Sequence, residues 1–300
     1  MRYLQPYDEF FGLHIGYPLI WLLSMLPFRI LYGISDGVYL LVYYVIGYRK
    51  KVVLSNLKLA FPEKSEKEIT EISKKFYHHF ADVFIEMIKF FTVSKQEVYK
   101  RYKFTNLEFF EELHKDGKSV MLMGPHYANW EWIMSLDAFV KYKGYAAFTR
   151  VENPYFNDKV LKSRAKFGTN LILTSKLIAE IKHNQKNNIQ AMYGLLSDQS
   201  PQLSKTFYWR EFFGVKVPIH TGAEMLAKRY DMNMVYIETK KIKRGYYETS
   251  FSLITNEAQK FPDYKLSDIF IEKVEKQVRT QPEYYFWTHK RFKHRDKAPN

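Results

Sequence analysis

The sequence predicts an α/β protein in which helices flank a mostly parallel central sheet, with a helical, membrane-associating segment at its N-terminus. Three features carry this prediction: short apolar runs alternating with helical stretches after Ser119, an amphipathic helix before them, and long uncharged runs near the start. Strands separated by helical stretches are typical of a parallel sheet with crossovers. We therefore divide the chain into a membrane-anchoring helical segment (1–48), a helical N-terminal part (49–118) and an α/β domain with a basic C-terminal tail (119–300).

The composition limits the possible functions. The 300 residues include 46 Lys and Arg against 32 Asp and Glu, which gives a net charge of +14, and they include no Cys. The absence of Cys excludes a disulfide framework, a thiolate nucleophile and Cys-based metal sites. The positive charge favours anionic partners such as nucleic acid, a membrane surface, a phosphorylated substrate or an acidic carrier protein.

Two uncharged runs lie near the N-terminus. The first, Phe10–Phe28, is of borderline length for a membrane span and is interrupted by Pro18 and Pro27. The second, Gly37–Tyr48, is too short to span by itself and is followed by the basic sequence RKK at 49–51. Apolar segments that end in a basic cluster suit an anionic cytoplasmic leaflet. The pattern leaves three arrangements open: one membrane-embedded helix, a hairpin in the membrane interface, or two helices in a core.

Hydrophobic periodicity predicts the regular elements. Ser65 and Glu68 form a capping-box pattern, and the helical spacing behind it predicts a long amphipathic helix that ends near Phe91. The adjacent His78 and His79 point about 100° apart on such a helix, which argues against a metal site. The predicted strands are Ser119–Met123, Tyr145–Thr149, Asn170–Thr174, Gln190–Leu196, Met234–Thr239 and Tyr246–Ile254. The predicted helices after Ser119 are Trp130–Tyr142, Tyr155–Phe167, Lys176–Gln185, Thr221–Tyr230 and Ser267–Thr280.

The segment SVMLMGPHYANWEW (119–132) carries the sharpest chemical signal. A strand leads into Gly124 and Pro125, His126 follows directly, and Glu131 comes five positions later. Ligands of α/β proteins gather at the carboxyl ends of strands, and histidine is a general base near neutral pH. A carboxylate such as Glu131 can fix the tautomer of His126 and stabilise its imidazolium form. Because the chain has no Cys and no G-x-S-x-G sequence, we expect the base to activate a hydroxyl of the substrate.

The same segment resembles the His-x4-Asp/Glu motif of glycerolipid-type acyltransferases. More narrowly, HYANWEW resembles the H-[FY]-G-N-W-E form of the bacterial lipid A biosynthesis (late, or secondary) acyltransferases of lauroyl/myristoyl type, with Ala128 where glycine is usual. Further segments resemble this family in the same order along nearly the whole chain: RKKVVLSNLKLAFP (49–62), FTRVENP (148–154), LLSDQSP (195–201), EFFG (211–214), PIHTGAEMLAKR (218–229) and PEYYFWTHKRFK (282–293).

The resemblance implies a glycerolipid-acyltransferase-like fold and transfer of a fatty acyl chain from acyl carrier protein to a hydroxyl of a lipid A precursor of the Kdo-lipid IVA type. It implies action at the cytoplasmic face of the bacterial inner membrane, with acyl carrier protein, the lipid A precursor and anionic membrane lipids as partners. The implied reaction needs no cofactor or metal, and the acyl-acyl carrier protein takes part in it as a co-substrate. No nucleic-acid partner is expected. Two alternatives stay open: the same chemistry on another glycolipid or an aminolipid, or a non-catalytic protein that binds membranes or nucleic acid.

Individual residues receive roles from these arguments. We expect His126 and Glu131 to form the catalytic pair. We expect Arg150 and Arg164 to bind the oxyanion or a substrate phosphate, because arginine binds phosphate bidentately. The carboxylate that follows the strand ending at Leu196 could bind a sugar hydroxyl, position the basic residues, or only make turn hydrogen bonds. The candidate substrate-binding residues are Asn129, Asp198 and Gln199.

The C-terminal segment THKRFKHRDKAPN (288–300) carries five Lys and Arg against one Asp and follows a run of aromatic residues. This pattern is typical of an interfacial aromatic belt with basic anchors. A basic stretch with aromatic residues can also bind single-stranded nucleic acid, or it can be a solvated tail. The apolar N-terminus favours lipid among these readings.

Overall fold

The computed structural model describes residues 17–148 and 161–298, in which helices pack around one large sheet. The α-helices that lie wholly within these residues are α1 (Tyr17–Met25), α2 (Phe28–Leu40), α3 (Lys50–Ala60), α4 (Glu66–Lys89), α5 (Lys95–Arg101), α6 (Glu108–His114), α7 (Leu177–Lys186), α8 (Gly222–Arg229) and α9 (Lys265–Thr280). A π-helix, Leu41–Ile46, continues α2, and a 3-10 helix covers Trp132–Ala138. Shorter 3-10 turns cover Thr174–Lys176, Leu203–Lys205, Ala258–Lys260, Pro282–Tyr284 and Arg295–Lys297.

Seven strands form the central sheet in the order β1-β9-β8-β2-β5-β3-β4. All neighbouring pairs are parallel except β8 and β9, which are antiparallel. A separate antiparallel hairpin consists of β6 and β7. This confirms the predicted α/β fold with a mostly parallel sheet. The strands are β1 (Tyr102–Phe104), β2 (Val120–Gly124), β3 (Lys143–Phe148), β4 (Asn170–Leu173), β5 (Ala191–Leu196), β6 (Trp209–Phe212), β7 (Val215–Pro218), β8 (Asn233–Lys243) and β9 (Tyr246–Thr255).

The four strands predicted between Ser119 and Leu196 are confirmed, and their bounds agree with β2 to β5 within two residues. Strand β2 lies near the middle of the sheet, and all five of its residues are buried. Such a strand reads as a continuous apolar run because both of its faces are covered. Strand β8 extends four residues further toward the β8–β9 turn than predicted, and Gly245 in that turn has a φ of 72°. Strand β9 begins at Tyr246 as predicted and ends one residue later, at Thr255.

Helix α4 begins with the predicted capping box. The backbone N–H of Glu68 donates to Ser65 Oγ at 3.3 Å, and the backbone N–H of Ser65 donates to the Glu68 carboxylate at 2.9 Å. These bonds satisfy two N–H groups that a helix start otherwise leaves unpaired. His78 faces the N-terminal helices through Asp36, whereas His79 is buried beside Lys241. The two histidines therefore lie in different surroundings.

One predicted helix is shorter and of a different kind. The structure has a 3-10 helix at Trp132–Ala138 where the sequence predicts an α-helix over Trp130–Tyr142. The cause is local, since the side chain of Asn129 accepts a hydrogen bond from the backbone N–H of Trp132 and places the helix start there. Of the predicted helix Tyr155–Phe167, residues 155–160 lie outside the described part of the chain, and residues 161–165 are helical.

The N-terminal helices pack against α4 on one side and expose apolar side chains on the other. Ser35 donates to Asp82 at 2.8 Å, and Arg244 donates to Asp36 at 2.6 Å, so polar groups bind α2 to the rest of the fold. The exposed side chains form what we call the N-terminal apolar surface: Leu19, Leu22, Met25, Ile30, Leu40, Leu41, Tyr44, Val45 and Ile46.

By length and composition, the helix Phe28–Ile46 could cross a membrane, with a mean hydropathy of 1.3 and 17% of its apolar window buried. This helix coincides with neither of the two uncharged runs of the sequence. It contains the charged residues Arg29 and Asp36, which end the uncharged sequence but do not end the helix. Most of the run Gly37–Tyr48 is therefore the second half of a longer helix. The helical, membrane-associating N-terminal segment thus includes α2 and its π-helical continuation.

The first part of the C-terminal segment packs into the core together with Trp287, which precedes it, and is not a solvated tail. Trp287, Arg291 and Phe292 are each at most 1% exposed. The amide of Asn56 donates to the backbone carbonyls of Trp287 and His289, both at 2.8 Å. The expectation of an exposed basic and aromatic tail is therefore wrong for these residues. The rings of Trp287 and Phe292 fill space beside the end of α3 and the β6–β7 hairpin, and the Arg291 guanidinium lies over the Phe212 ring. Within the described part of this segment, the exposed side chains are Lys290, Lys293, Arg295, Asp296 and Lys297.

Candidate active site

The sheet brings two loops together at the carboxyl end of its central strands. Gly124 of β2 and Leu196 of β5 are register partners in a parallel pair. His126 follows Gly124 by two residues, and Asp198 follows Leu196 by two residues. Parallel strands that end side by side open their loops at the same edge, where α/β proteins bind ligands. The side chains of His126 and Asp198 meet there.

His126 and Asp198 form a close pair. His126 Nδ1 lies 2.7 Å from Asp198 Oδ1, and the side chains of the two residues are 21% and 1% exposed. Burial alone would raise the pKa of Asp198, but the charge and hydrogen bond of His126 outweigh it and hold the pKa below its ordinary value. The ionised carboxylate is an acceptor, so Nδ1 carries the proton and Nε2 is left to accept one.

Glu131 has a different partner from the expected one. Arg164 Nε donates to Glu131 Oε2 at 2.9 Å, and Arg164 Nη2 donates to Glu131 Oε1 at 2.6 Å. This is a bidentate pair, with side chains 26% and 10% exposed. The structure therefore places Glu131 as the support of Arg164, whereas Asp198 takes the position beside His126 that the sequence assigned to Glu131.

The loop after β2 is fixed by the C-terminal segment and by an unusual backbone angle. Ala128 has a φ of 52°, in the left-handed region that glycine favours. This explains why glycine is usual at that position of the motif that the segment resembles. The Ala128 N–H donates to the Tyr284 carbonyl at 2.9 Å, and the Phe286 N–H donates to the His126 carbonyl at 3.1 Å. These two hydrogen bonds fix the backbone at His126 and Ala128 against the C-terminal segment.

A cavity of about 860 Å³ opens beside this pair. Side chains of β3, β4, β5, α7 and α8 form a mostly apolar wall. His126, Glu131, Arg164 and His220 are polar residues among those that line it. The volume lies in the range of small-molecule sites, and a few polar groups on an apolar wall are typical of them. The cavity can therefore hold a long apolar group next to a basic nitrogen and a guanidinium.

The remaining predicted site residues lie in different places. Asn129 is fully buried, and its amide donates to Glu86 at 2.6 Å, so it contacts protein where a substrate contact was expected. Gln199 is half-buried beside Asp198. Arg150 lies outside the described residues. His220 was not singled out from the sequence, although it stands in the segment PIHTGAEMLAKR that carries part of the resemblance.

His289 contacts the loop that carries Asp198. Burial, together with the charge of Lys293, lowers its pKa to about 4, so the ring is neutral near pH 7. Its Nε2 accepts a hydrogen bond from the Ser200 N–H at 3.1 Å, and Ser200 Oγ donates to the Arg291 carbonyl at 2.7 Å. The C-terminal segment therefore holds both loops of the site.

Comparison with known proteins agrees with this architecture. A family model described as bacterial lipid A biosynthesis acyltransferase matches residues 4–294. Among curated proteins, a lipid A biosynthesis acyltransferase of Haemophilus influenzae is 22% identical over 95% of this chain and 88% of its own length. A lipid A biosynthesis lauroyltransferase of Escherichia coli is 22% identical, with 94% of this chain and 91% of the relative covered. A lipid A biosynthesis palmitoleoyltransferase of Escherichia coli is 20% identical, with 93% and 90% covered.

The identities are low, but the family match extends over nearly the whole chain, including the N-terminal helices, both site loops and the buried C-terminal segment. The acyltransferase assignment therefore rests on a match along nearly the whole chain and not on the His-x4-Glu segment alone. The chain belongs to the bacterial lipid A biosynthesis acyltransferase family.

Proposed function

We propose that this acyltransferase moves a fatty acyl chain from acyl carrier protein to a hydroxyl of a lipid A precursor of the Kdo-lipid IVA type. The observation that carries the proposal is the position of His126, paired with Asp198, on the wall of a mostly apolar cavity of about 860 Å³. A basic nitrogen beside an apolar cavity suits a reaction that joins a hydroxyl to the end of a fatty chain.

The proposed reaction is a direct transfer. His126 Nε2 removes the proton from the acceptor hydroxyl as its oxygen attacks the thioester carbonyl. The carbonyl π electrons move to its oxygen, and when they return the carbon–sulfur bond breaks. The thiolate of the carrier's prosthetic group leaves and takes the proton from the His126 imidazolium, so the products are an ester and a thiol. The buried Asp198 carboxylate stabilises the imidazolium that forms between these steps.

The proposed role of Arg164 is to stabilise the oxyanion or to bind a phosphate of the acceptor. Its guanidinium lines the cavity and is fixed by two bonds to Glu131, which use Nε and Nη2. A donor held in place before the reaction stabilises developing negative charge without a cost of reorganisation. Arg150 keeps its predicted role as a second candidate for the same task.

We also propose that the protein acts at the cytoplasmic face of the bacterial inner membrane. The N-terminal apolar surface gathers nine exposed apolar side chains on the N-terminal helices, and a concentration of this kind is typical of a membrane or protein interface. The RKK sequence at 49–51 directly follows it and suits anionic lipid headgroups. Helix α2 packs along α4 through polar contacts on one face and exposes apolar side chains on the other. A helix that lies in the membrane interface would use both faces in this way.

The test uses membranes that contain the wild-type chain, the His126→Ala variant or the Asp198→Asn variant. Each is incubated with a series of acyl carrier protein thioesters and with the tetra-acylated lipid A precursor, with and without its Kdo sugars. Mass spectrometry should detect one added acyl chain with the wild type and a loss of at least about 100-fold in rate with His126→Ala.

Two results would contradict the proposal in different ways. Product formation that persists with His126→Ala would remove the general base from the mechanism. A wild type that acylates no lipid A precursor with any donor, but acylates another glycolipid or an aminolipid, would refute the acceptor and keep the chemistry. A folded wild type that acylates no lipid acceptor and only binds vesicles would favour the non-catalytic alternative.

A further inference from the structure

A buried carboxylate lies behind the active-site loop and has no part in the proposed reaction. Glu86 of α4 is 0% exposed, and burial raises the pKa of its carboxyl group, although the charge of Lys241 opposes this. A buried acid is costly unless its oxygens are hydrogen-bonded. The hydrogen-bond donors that surround Glu86 therefore indicate its structural role.

Three donors from three parts of the fold meet on this carboxylate. Tyr32 of α2 donates its hydroxyl to Oε1 at 2.8 Å. Asn129 of the active-site loop donates to Oε2 at 2.6 Å, and Tyr247 of β9 donates to the same oxygen at 2.8 Å. Glu86 thus joins the N-terminal helix, the catalytic loop and the sheet at one point.

The bond to Asn129 controls the shape of the loop. While its amide nitrogen binds Glu86, its carbonyl oxygen accepts from the Trp132 N–H at 3.1 Å. Asn129 comes directly after Ala128, the residue with the left-handed φ, and three residues after His126. A strained turn persists only where surrounding contacts fix it. Loss of the Glu86 contact would therefore loosen the turn that places His126.

The position of Tyr32 is fixed by Gly245 and Arg244. A Cβ on Gly245 would lie 1.9 Å from the Tyr32 hydroxyl, so only glycine leaves room for it. Arg244 lies 4.7 Å from the centre of the Tyr32 ring and donates to its backbone carbonyl at 3.2 Å. Tyr32 belongs to α2, which carries much of the N-terminal apolar surface, so a shift of α2 would move the hydroxyl that binds Glu86.

We propose that Glu86 is a positioning residue that couples the placement of α2 to the shape of the loop that carries His126. Its effect on catalysis rests on the proposed function, whereas its effect on the loop does not. The N-terminal helices then have a second role beside membrane attachment, because contact of α2 with lipid favours the loop conformation in which His126 is correctly placed.

The experiment compares Tyr32→Phe with Tyr247→Phe as its matched control. Each variant removes one hydroxyl donor to Glu86, but only Tyr32 lies on α2. The full-length proteins are placed in dodecyl maltoside micelles or in vesicles of phosphatidylethanolamine and phosphatidylglycerol. Hydrogen exchange of the peptide 126–132 and the kcat and KM for the acyl donor are measured in both.

The proposal predicts that vesicles slow exchange of this peptide and raise kcat for the wild type and for Tyr247→Phe. With Tyr32→Phe, exchange should be the same in vesicles and micelles, and kcat in vesicles should fall about tenfold with little change in KM. Glu86→Gln keeps the side-chain size but offers one acceptor oxygen in place of two, so it should behave as Tyr32→Phe does.

Equal effects of Tyr32→Phe and Tyr247→Phe on exchange and kcat would overturn the proposal, since Glu86 would then only stabilise the fold. Wild-type exchange that does not differ between micelles and vesicles would overturn it as well. If Tyr32→Phe alone loses the vesicle-dependent protection while even the wild type transfers no acyl chain, the coupling stands and the proposed reaction fails.

Discussion

Replacing Asp198 with Asn should slow acyl transfer about 1000-fold and leave the fold intact. The carboxylate oxygen lies 2.7 Å from His126 Nδ1 and the side chain is 1% exposed, so little water screens the pair. Charge centres about 4 Å apart interact by about 4 kcal/mol at an effective dielectric constant near 20. This energy stabilises the imidazolium that forms in the transition state, and about 4 kcal/mol corresponds to about 10³ in rate.

The assay is single-turnover transfer from acyl carrier protein to the lipid A precursor, followed by mass spectrometry after rapid quenching. Thermal unfolding and vesicle binding of Asp198→Asn serve as controls, and both should match the wild type closely. Asn can still occupy the position but carries no charge and cannot hold the His126 tautomer as a carboxylate does, so the loss reports both functions of the carboxylate. A loss smaller than about tenfold with an intact fold would refute the role of Asp198 as the partner of His126.

Three further predictions follow from other parts of the molecule. Replacing Val45 and Ile46 together by Glu should weaken binding to phosphatidylglycerol vesicles by about tenfold or more in flotation assays, whereas Glu at the exposed Phe207 should not. Asn56→Ala should lower the free energy of unfolding by about 2–4 kcal/mol in urea titrations, because the backbone carbonyls of Trp287 and His289 lose their donor. Burial raises the pKa of Asp137 to about 6, so wild-type stability should fall by about 3 kcal/mol between about pH 4 and pH 6, and Asp137→Asn should remove this dependence in calorimetric melts.

Each of these predictions has a clear contrary result. Equal vesicle binding by the Val45/Ile46 variant and the wild type would exclude the N-terminal apolar surface as the membrane contact. An unchanged urea midpoint for Asn56→Ala would mean that the C-terminal segment is held by other contacts. For Asp137, the raised pKa means that the folded state binds the proton more tightly than the unfolded state, so stability falls as pH rises through this range. A stability that instead rises over this pH range in the wild type, but not in Asp137→Asn, would contradict the burial of the carboxyl group.

The sequence predicted the sheet well because strands β2 to β5 are short apolar runs bounded by helical patterns. It did not predict β1 or the β6–β7 hairpin. β1 has three residues and belongs to the sheet only through its pairing with β9, which lies far away in sequence. Local periodicity cannot indicate such a pairing. The helix after β2 was predicted too long because Asn129, read as a substrate contact, instead binds the Trp132 N–H at the helix start.

The sequence identified the chemical groups of the site better than their pairing. His126, Glu131, Arg164 and Asp198 were all named from their positions after apolar strands or within motifs, and all four are close to the cavity in the structure. Their pairing depends on which strands are neighbours, and strand order is not visible in a single sequence. Once β2 and β5 are known to pair with Gly124 opposite Leu196, the contact of His126 with Asp198 follows from equal spacing.

The C-terminal segment shows where composition misleads. Its basic residues suggested a membrane-anchoring tail, yet Arg291 is fully buried, with Nε and Nη2 unpaired within the described part of the chain. Its Nη1 donates to the Pro218 carbonyl at 3.1 Å, and its guanidinium lies 5.1 Å from the centre of the Phe212 ring. A sequence pattern gives the charge of a residue, but the surrounding aromatic packing decides whether that charge faces water.

The central claim is that His126 works with Asp198, whereas Glu131 acts through Arg164. The most direct test measures the loss of kcat/KM caused by Glu131→Gln in two backgrounds, Arg164→Met and Asp198→Asn. The structure predicts little further loss in Arg164→Met, because the pair is already broken, and the full loss in Asp198→Asn, because that pair is separate. A full loss in Arg164→Met together with no loss in Asp198→Asn would contradict the claim and return Glu131 to the role of partner of His126.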